Sequence, residues 1–147
     1  MGFQLDNPNT AAQNIKKLAT SLTQWTFNDI TVRVRTSPFL IELLWKDQGR
    51  NVAGFTLMEQ PNCCGVLIST KTFVEKAYQK QGIAQGMMPL KEALAREYGY
   101  SCLVATVNVT GNPAEVHILN KNAWVQGASF VNKRTKNTVA FFTKVLQ

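Results

Sequence analysis

The segment Val74-Glu75-Lys76-Ala77-Tyr78-Gln79-Lys80-Gln81-Gly82-Ile83-Ala84 joins the end of a β-forming run, a glycine and the start of a helical pattern. A chain that leaves a strand and enters a helix there points several unpaired backbone N–H groups, and the positive end of the helix dipole, at one spot. Such a spot attracts phosphate. Gly82 lets a ligand approach the backbone without meeting a Cβ, and Lys80 adds a mobile positive charge at the rim. An ordinary helix N-terminus satisfies the same pattern, so the motif alone leaves both readings open.

Other chemistries are easier to exclude. The chain has no G-x-x-x-x-G-K-[ST] loop, no G-x-G-x-x-G fingerprint and no G-x-S-x-G nucleophile elbow. No two acidic residues recur at a ligand-like spacing with the lone histidine, His117, and adjacent Cys63 and Cys64, with Cys102 as an odd thiol, lack the C-x-x-C spacing of a zinc site. We therefore expect no metal, and reduced cysteines.

The elements that must hold this turn are legible from periodicity. Ile15, Leu18, Leu22 and Trp25 recur at helical spacing and predict an amphipathic helix over 9–26, with Asn9 or Thr10 as its cap. Alternation over Ile30–Arg35 predicts a half-exposed strand. Phe39–Lys46 and Asn51–Glu59 read as a hairpin around Asp47-Gln48-Gly49-Arg50, and Gly65–Val74 reads as another strand. A helix over Gly82–Tyr98 follows, with Ile83, Met87, Leu90, Leu94 and Tyr98 on one stripe and Pro89 expected to kink it.

Gly99 can stop that helix, after which Cys102–Val107 is apolar enough for a strand buried on both faces. Strand, helix and strand in this order imply a parallel pair. Asn112-Pro113-Ala114-Glu115 combines an N-cap, a proline at the first helical position and a capping-box glutamate, predicting a short helix to about Asn122. Two strands, Trp124–Phe130 and Thr138–Val145, flank the basic loop Asn132-Lys133-Arg134-Thr135-Lys136-Asn137.

Composition bounds the rest. With 147 residues, 45% of them hydrophobic and 17% charged, we expect a single globular domain over 1–147. The longest apolar run, Phe39–Trp45, is broken by Glu42 and is far shorter than the ~20 residues of a membrane span. The N-terminus lacks the order of a signal peptide, so a cytoplasmic location and no membrane partner are expected. The net charge of +7 suits acidic partners such as nucleotides or nucleic acid, and it equally suits mere solubility.

Against this background, Gln79-Lys80-Gln81-Gly82-Ile83-Ala84 resembles the [QR]-x-x-G-x-[GA] motif of the GNAT acetyltransferase superfamily. Upstream, Val74 and Tyr78 match the V-x-P-x-Y-R-x-x-G-I run, with Lys76 in place of Pro and Gln79 in place of Arg. Downstream, Asn112, Leu119, Ala123 and Trp124 fall on N-x-x-[AS]-x-x-x-[YL]-x-x-x-G-[FW], with Glu115 in place of the small residue and Ala123 in place of Gly. The likeness covers about residues 51–147 and looks like that of small acetyltransferase-like proteins of bacteriophage genomes.

The resemblance implies an α/β (α+β) fold with a mixed, mostly antiparallel sheet of six to seven strands, a splayed parallel central pair and flanking helices. It implies acetyl-CoA (coenzyme A) as cofactor, with Phe73 and Val74 on the pantetheine arm, Gln79, Lys80, Gln81, Gly82, Ile83 and Ala84 around the pyrophosphate, and Asn112 either at the cofactor or simply capping its helix. The implied reaction is direct transfer of acetyl to an amine. The family's tyrosine acid would fall at Leu119, so this chain lacks it. Glu59 and His117 are the candidate bases, with His117 expected to point away from the face that carries Leu119.

Lys133, Arg134 and Lys136 are the candidate acceptor contacts, since the last hairpin flanks the thioester in this family and no acidic residue follows Glu115. An anionic acceptor is expected on that reading. Two other functions stay open: a GNAT-fold protein of little or no activity that binds nucleic acid or protein through its basic surface, and modification of a nucleic-acid amine, to which Arg33 and Arg35 would also contribute. Either a monomer or a homodimer is compatible with the sequence.

Overall fold

The computed structural model describes residues 7–62 and 65–147; the expectations for Met1–Asp6, Cys63 and Cys64 lie outside the described residues. Asn7 accepts from the Thr10 N–H at 3.1 Å and Pro8 takes the first helical position, so α1 spans Pro8–Leu18. The cap thus lies before Asn9 and Thr10, and the helix ends well short of residue 26. Trp25, at helical spacing from Leu22, belongs instead to β1, Gln24–Phe27, paired with β2, Ile30–Thr36, through Trp25 opposite Val32. Asn28 and Asn28's neighbour Asp29 have φ of 44° and 64°, the two-residue turn that matches strand twist, and the β-prone Trp-Thr-Phe run pairs across it.

β3, Phe39–Asp47, and β4, Arg50–Glu59, form the expected hairpin, tightened to a two-residue turn at Gln48 and Gly49 with φ of 53° and 79°. Val66–Val74 is β5. A short 3-10 turn at Lys76–Tyr78 leads to α2, Ile83–Glu97, which continues as one helix through Pro89. Gly99, at φ 82°, ends it: Tyr100 N–H reaches Ala95 C=O at 2.9 Å, closing the C-terminus. β6, Cys102–Asn108, α3, Pro113–Lys121, β7, Val125–Val131, and β8, Thr138–Val145, complete the chain.

Among the described residues, eight strands form one sheet in the order β1-β2-β3-β4-β5-β6-β8-β7, one strand more than the largest expected number because of β1. All neighbours are antiparallel except β5 and β6. Alternation sends Val32 and Val34, Ile41 and Leu43, Phe55 and Leu57 to one face, where α1 and α2 pack against each other and against the sheet. Lys16 ties the two helices, donating to Glu97 C=O at 3.0 Å. β6 is not buried on both faces as expected: Leu103, Ala105 and Val107 are inside, whereas Thr106 is exposed, because α2 covers only one side of the strand.

The parallel pair is short. Val66, Leu67 and Ile68 face Cys102, Leu103 and Val104, and pairing stops there although both strands run on. Beyond that point β5 stays paired with β4 and β6 with β8, so the two diverge and leave a V with an unpaired strand edge inside it.

Candidate functional site

The α-helices α1, α2 and α3 begin differently. α1 and α3 each start with an asparagine cap and a proline, while α2 has no side-chain cap and no acidic residue in its first turn. Its first internal bond runs from Gly86 N–H to Gly82 C=O at 2.9 Å. The N–H groups of Ile83, Ala84 and Gln85 therefore have no partner within the helix. Lys80 and Gly82 are both left-handed, at φ 63° and 78°, which curls the turn so that its amides converge. A Cβ on Gly82 would meet nothing within 4 Å; the residue is glycine because of its φ, and the space before it is open.

This turn opens into a cleft of about 550 Å³ bounded by the unpaired edge of β5, the first turns of α2 and one side of α3. Phe73, Val74, Gln79, Lys80, Gly82, Ile83, Ala84 and Asn112, all expected at a cofactor, line it. The Gln79 amide donates to Val74 C=O at 3.0 Å, bracing the turn against the strand end, and the Tyr78 hydroxyl donates to the Asp47 carboxylate, which raises its pKa. Phe73 lies over Gly54, where a Cβ would come 2.7 Å from Leu43 C=O and 3.1 Å from the Phe73 ring. Near the mouth of the V, the β4–β5 register slips between Gly54 and Thr56, and Lys71 opposite takes φ 52°, a bulge that frees part of the β5 backbone from its ladder.

α3 presents Ala114, Glu115, His117, Ile118 and Leu119 to the cleft. At about 100° per residue these positions fill an arc of about 200°, with His117 and Leu119 at its two edges. They therefore lie about 160° apart the short way round α3, so His117 points away from the Leu119 side as expected, exposed where Leu119 is buried, while both border the cleft. Asn112 caps α3 by accepting from Glu115 N–H at 3.3 Å, and its own amide donates to the Glu115 carboxylate at 2.9 Å. The glutamate thus bonds the cap's side chain. Burial holds the Glu115 carboxyl above its usual pKa, partly opposed by the positive charge of Lys91.

Lys91 is the residue that the sequence reading passed over. It projects from α2 into the cleft at 3% exposure, donates to Thr72 Oγ1 at 2.8 Å and lies 5.3 Å from the centre of the Phe55 ring. Burial lowers its pKa to about 8, opposed by Glu115. A signal was present: Lys91 falls between Met87 and Leu94 on the apolar stripe, where solvent cannot reach it.

Several expected site residues lie elsewhere. The Gln81 amide turns back to Ala77 C=O at 3.4 Å and does not line the cleft. Glu59 pairs with Leu67 at the closed end of the V and accepts from the Tyr100 hydroxyl at 3.2 Å; Thr72 is about 16 Å further along β5 at the usual rise. That contact, together with burial as the larger cause, pushes the Tyr100 hydroxyl up to about 12. Lys133, Arg134 and Lys136 occupy an exposed loop shaped by Asn132, whose side chain accepts from Arg134 N–H at 2.9 Å and Thr135 N–H at 3.2 Å. Val109 N–H to Thr138 C=O, at 3.0 Å, ties that loop to the cleft's end of the sheet, yet its side chains line no part of the cleft.

A second groove of about 390 Å³ crosses the opposite face of the sheet, where Arg33, Arg35, Glu42 and Thr56 alternate with the core residues, and Lys71 reaches it from the bulge. Arg33 and Glu42 are paired at 3.3 Å. Among the described residues, no cluster of His, Cys, Asp or Glu could hold a metal ion, and no helix is long and apolar enough to cross a membrane.

No protein-family model and no curated protein matches this sequence. Solved structures do. An acetyltransferase of the GNAT family from Streptococcus pneumoniae superposes with a TM-score of 0.64 at 17% identity, covering 92% of this chain and 74% of that one. A Klebsiella pneumoniae protein described as an acyl-CoA N-acyltransferase gives 0.62 at 16% identity over 97% and 92% of the two chains. Salmonella typhimurium yncA, described as an acetyltransferase and solved with its cofactor acetyl-CoA, gives 0.61 at 16% identity over 74% and 65%. The splayed parallel pair, the crossover helix and the mostly antiparallel sheet are thus those of a known architecture, and the chain has the fold of the GNAT acetyltransferases.

Proposed function

We propose that the whole chain is one acyltransferase domain that moves an acetyl group from acetyl-CoA directly to an amine. The observation that carries this reading is the uncapped N-terminus of α2 opening onto the unpaired edge of β5 within one cleft. The N–H groups of Ile83, Ala84 and Gln85, with the Lys80 ammonium at the rim, suit a pyrophosphate, and the open space before Gly82 admits it. The edge of β5 that passes Phe73 and Val74 is paired with β4 on one side and has no strand on the other, which suits an amide-containing arm laid along it, with Gln79 already holding Val74 C=O. Asn112 borders the same space from α3 while capping its helix.

Acetyl-CoA supplies an acyl carbonyl activated as a thioester. The chain's part is to orient that carbonyl beside the bulge at Lys71, where backbone N–H groups freed from the ladder can stabilise developing oxyanion charge. His117, exposed at the edge of the cleft, is the residue placed to take a proton from the incoming amine; Glu59 is too remote. The acceptor groove in this reading is the one across the sheet, where Arg33, Arg35 and Lys71 favour an amine carrying negative charge. A nucleic-acid amine belongs to that acceptor class, with the basic loop at Lys133, Arg134 and Lys136 as an outlying contact.

Titration calorimetry with acetyl-CoA tests the reading. Binding should also raise the melting temperature, since a ligand at a hundred times its Kd stabilises the folded state by about 2.7 kcal/mol. Gly82→Asp, which adds a side chain at positive φ and a negative charge, should abolish binding. Failure of the wild-type protein to bind acetyl-CoA at millimolar concentration refutes it.

A further inference from the structure

We propose that Lys91 is the proton donor to the departing coenzyme A thiolate, filling the role for which Leu119 has no group. The inference rests on the acyltransferase reading above and assigns a residue to its leaving-group step. A lysine ammonium buried to 3% exposure is costly to keep in a fold. It has one hydrogen-bond acceptor, Thr72 Oγ1, and the Phe55 ring beneath it, which leaves ammonium protons for a group in the cleft.

Its position is also the right one. Of the two lysines lining the cleft, Lys80 stands exposed at the phosphate end, whereas Lys91 lies about 13 Å further along α2, against the edge of β5. An arm anchored at Gly82 and laid along Val74, Phe73 and Thr72 carries its terminal sulfur toward that ammonium. Leu119 faces the same space from α3 and offers no proton. The groups that face Lys91 are Thr72 and Phe55 from the sheet and Glu115 from α3; His117 borders the cleft beyond them.

The step balances. The amine nitrogen forms a bond to the thioester carbonyl carbon, the carbon–sulfur bond breaks, and the sulfur takes the electron pair. One Lys91 N–H proton passes to that sulfur, giving the free thiol and a neutral lysine. The amine loses one proton on becoming an amide, through His117 or water, and Lys91 regains one from solvent. With burial holding its pKa near 8, Lys91 is protonated at neutral pH and close to the ~8.5 of an ordinary thiol, so the transfer has little energetic bias against it.

The test reads the thiol and needs no acceptor. Wild type and Lys91→Met, each saturated with coenzyme A, are titrated by the ultraviolet absorbance of the thiolate, with desulfo-coenzyme A complexes as blanks. A cation beside the sulfur should make the bound thiol more acidic in wild type than in the variant, by about tenfold or more in proton affinity. In wild type alone, nitrogen-15 NMR should show Lys91 titrating higher with coenzyme A than with desulfo-coenzyme A, a readout that survives if the variant misfolds. Coenzyme A binding with equal thiol titration in both proteins, or with a Lys91 indifferent to the sulfur, overturns this proposal and leaves the acyltransferase reading standing. Acetylation of Lys91 by acetyl-CoA, seen by mass spectrometry, overturns it by making the lysine an acceptor. Absence of coenzyme A binding removes both.

Discussion

Lys91→Met should stabilise the protein at neutral pH, and the gain should vanish as the pH rises. In the unfolded chain the lysine has its ordinary pKa of 10.5, whereas in the folded protein burial lowers it to about 8. Below pH 8 both states hold the proton, and folding carries the full cost of burying the ammonium. Between 8 and 10.5 the unfolded state binds more protons than the folded one, so stability rises with pH; above 10.5 the cost is gone. At about 1.4 kcal/mol for each tenfold change in proton affinity, the whole cost is roughly 3 kcal/mol. Methionine fills similar volume without a charge, at the loss of the Thr72 bond and the Phe55 contact, which do not depend on pH in the variant.

Urea unfolding of both proteins at pH 7 and pH 10 measures this. Urea slopes of ~1–3 kcal/mol/M make the difference between the two proteins change by about 1–2 M in midpoint across that range, with the variant ahead at pH 7. Other titrating groups cancel in the comparison, Glu115 excepted, because it faces Lys91 directly. A difference that is the same at both pH values would refute the argument, for it would mean that the ammonium is not desolvated. A stability cost of this kind at one cleft residue is what a functional group leaves behind.

Two further outcomes follow from the geometry. Gly54→Ala should destabilise the fold by about 1–3 kcal/mol by chemical denaturation, because its Cβ would meet Leu43 C=O and Leu44 at 2.7 Å, and it should weaken acetyl-CoA binding by displacing Phe73 into the cleft. Changing Lys133, Arg134 and Lys136 together to Ala should leave coenzyme A affinity in calorimetry within about twofold, since none of the three lines the cleft, while flattening the salt dependence of any duplex DNA binding measured by anisotropy.

Strand and helix identity were legible where period and punctuation agree. Alternation marked β2, Gly49 marked the hairpin, Asn112-Pro113 marked α3, and Gly82 marked the turn whose amides converge on the cleft. These are properties of neighbours along the chain, set by φ preference and capping, and they need no knowledge of the rest of the molecule. The α1 boundary failed for the opposite reason. Leu22 and Trp25 continue a helical spacing, and only pairing with β2, a contact made across the sheet, turns Trp25 into a strand residue.

The same division holds in the site. Sequence alone determined the turn from Val74 to Ala84 and the absence of a hydroxyl at Leu119, because both are statements about residue type and local spacing. Tertiary structure decided that Glu59 lies at the closed end of the V, that the basic loop stays outside the cleft, and that the cleft reaches both His117 and Leu119 although they point away from each other on α3. It also decided that the charge on Lys91 is buried. Its place on the apolar stripe marks which face of α2 the lysine takes, but only β4, β5 and α3 closing around it desolvate the charge, since desolvation depends on everything that surrounds a group and spacing records only what lies beside it in the chain.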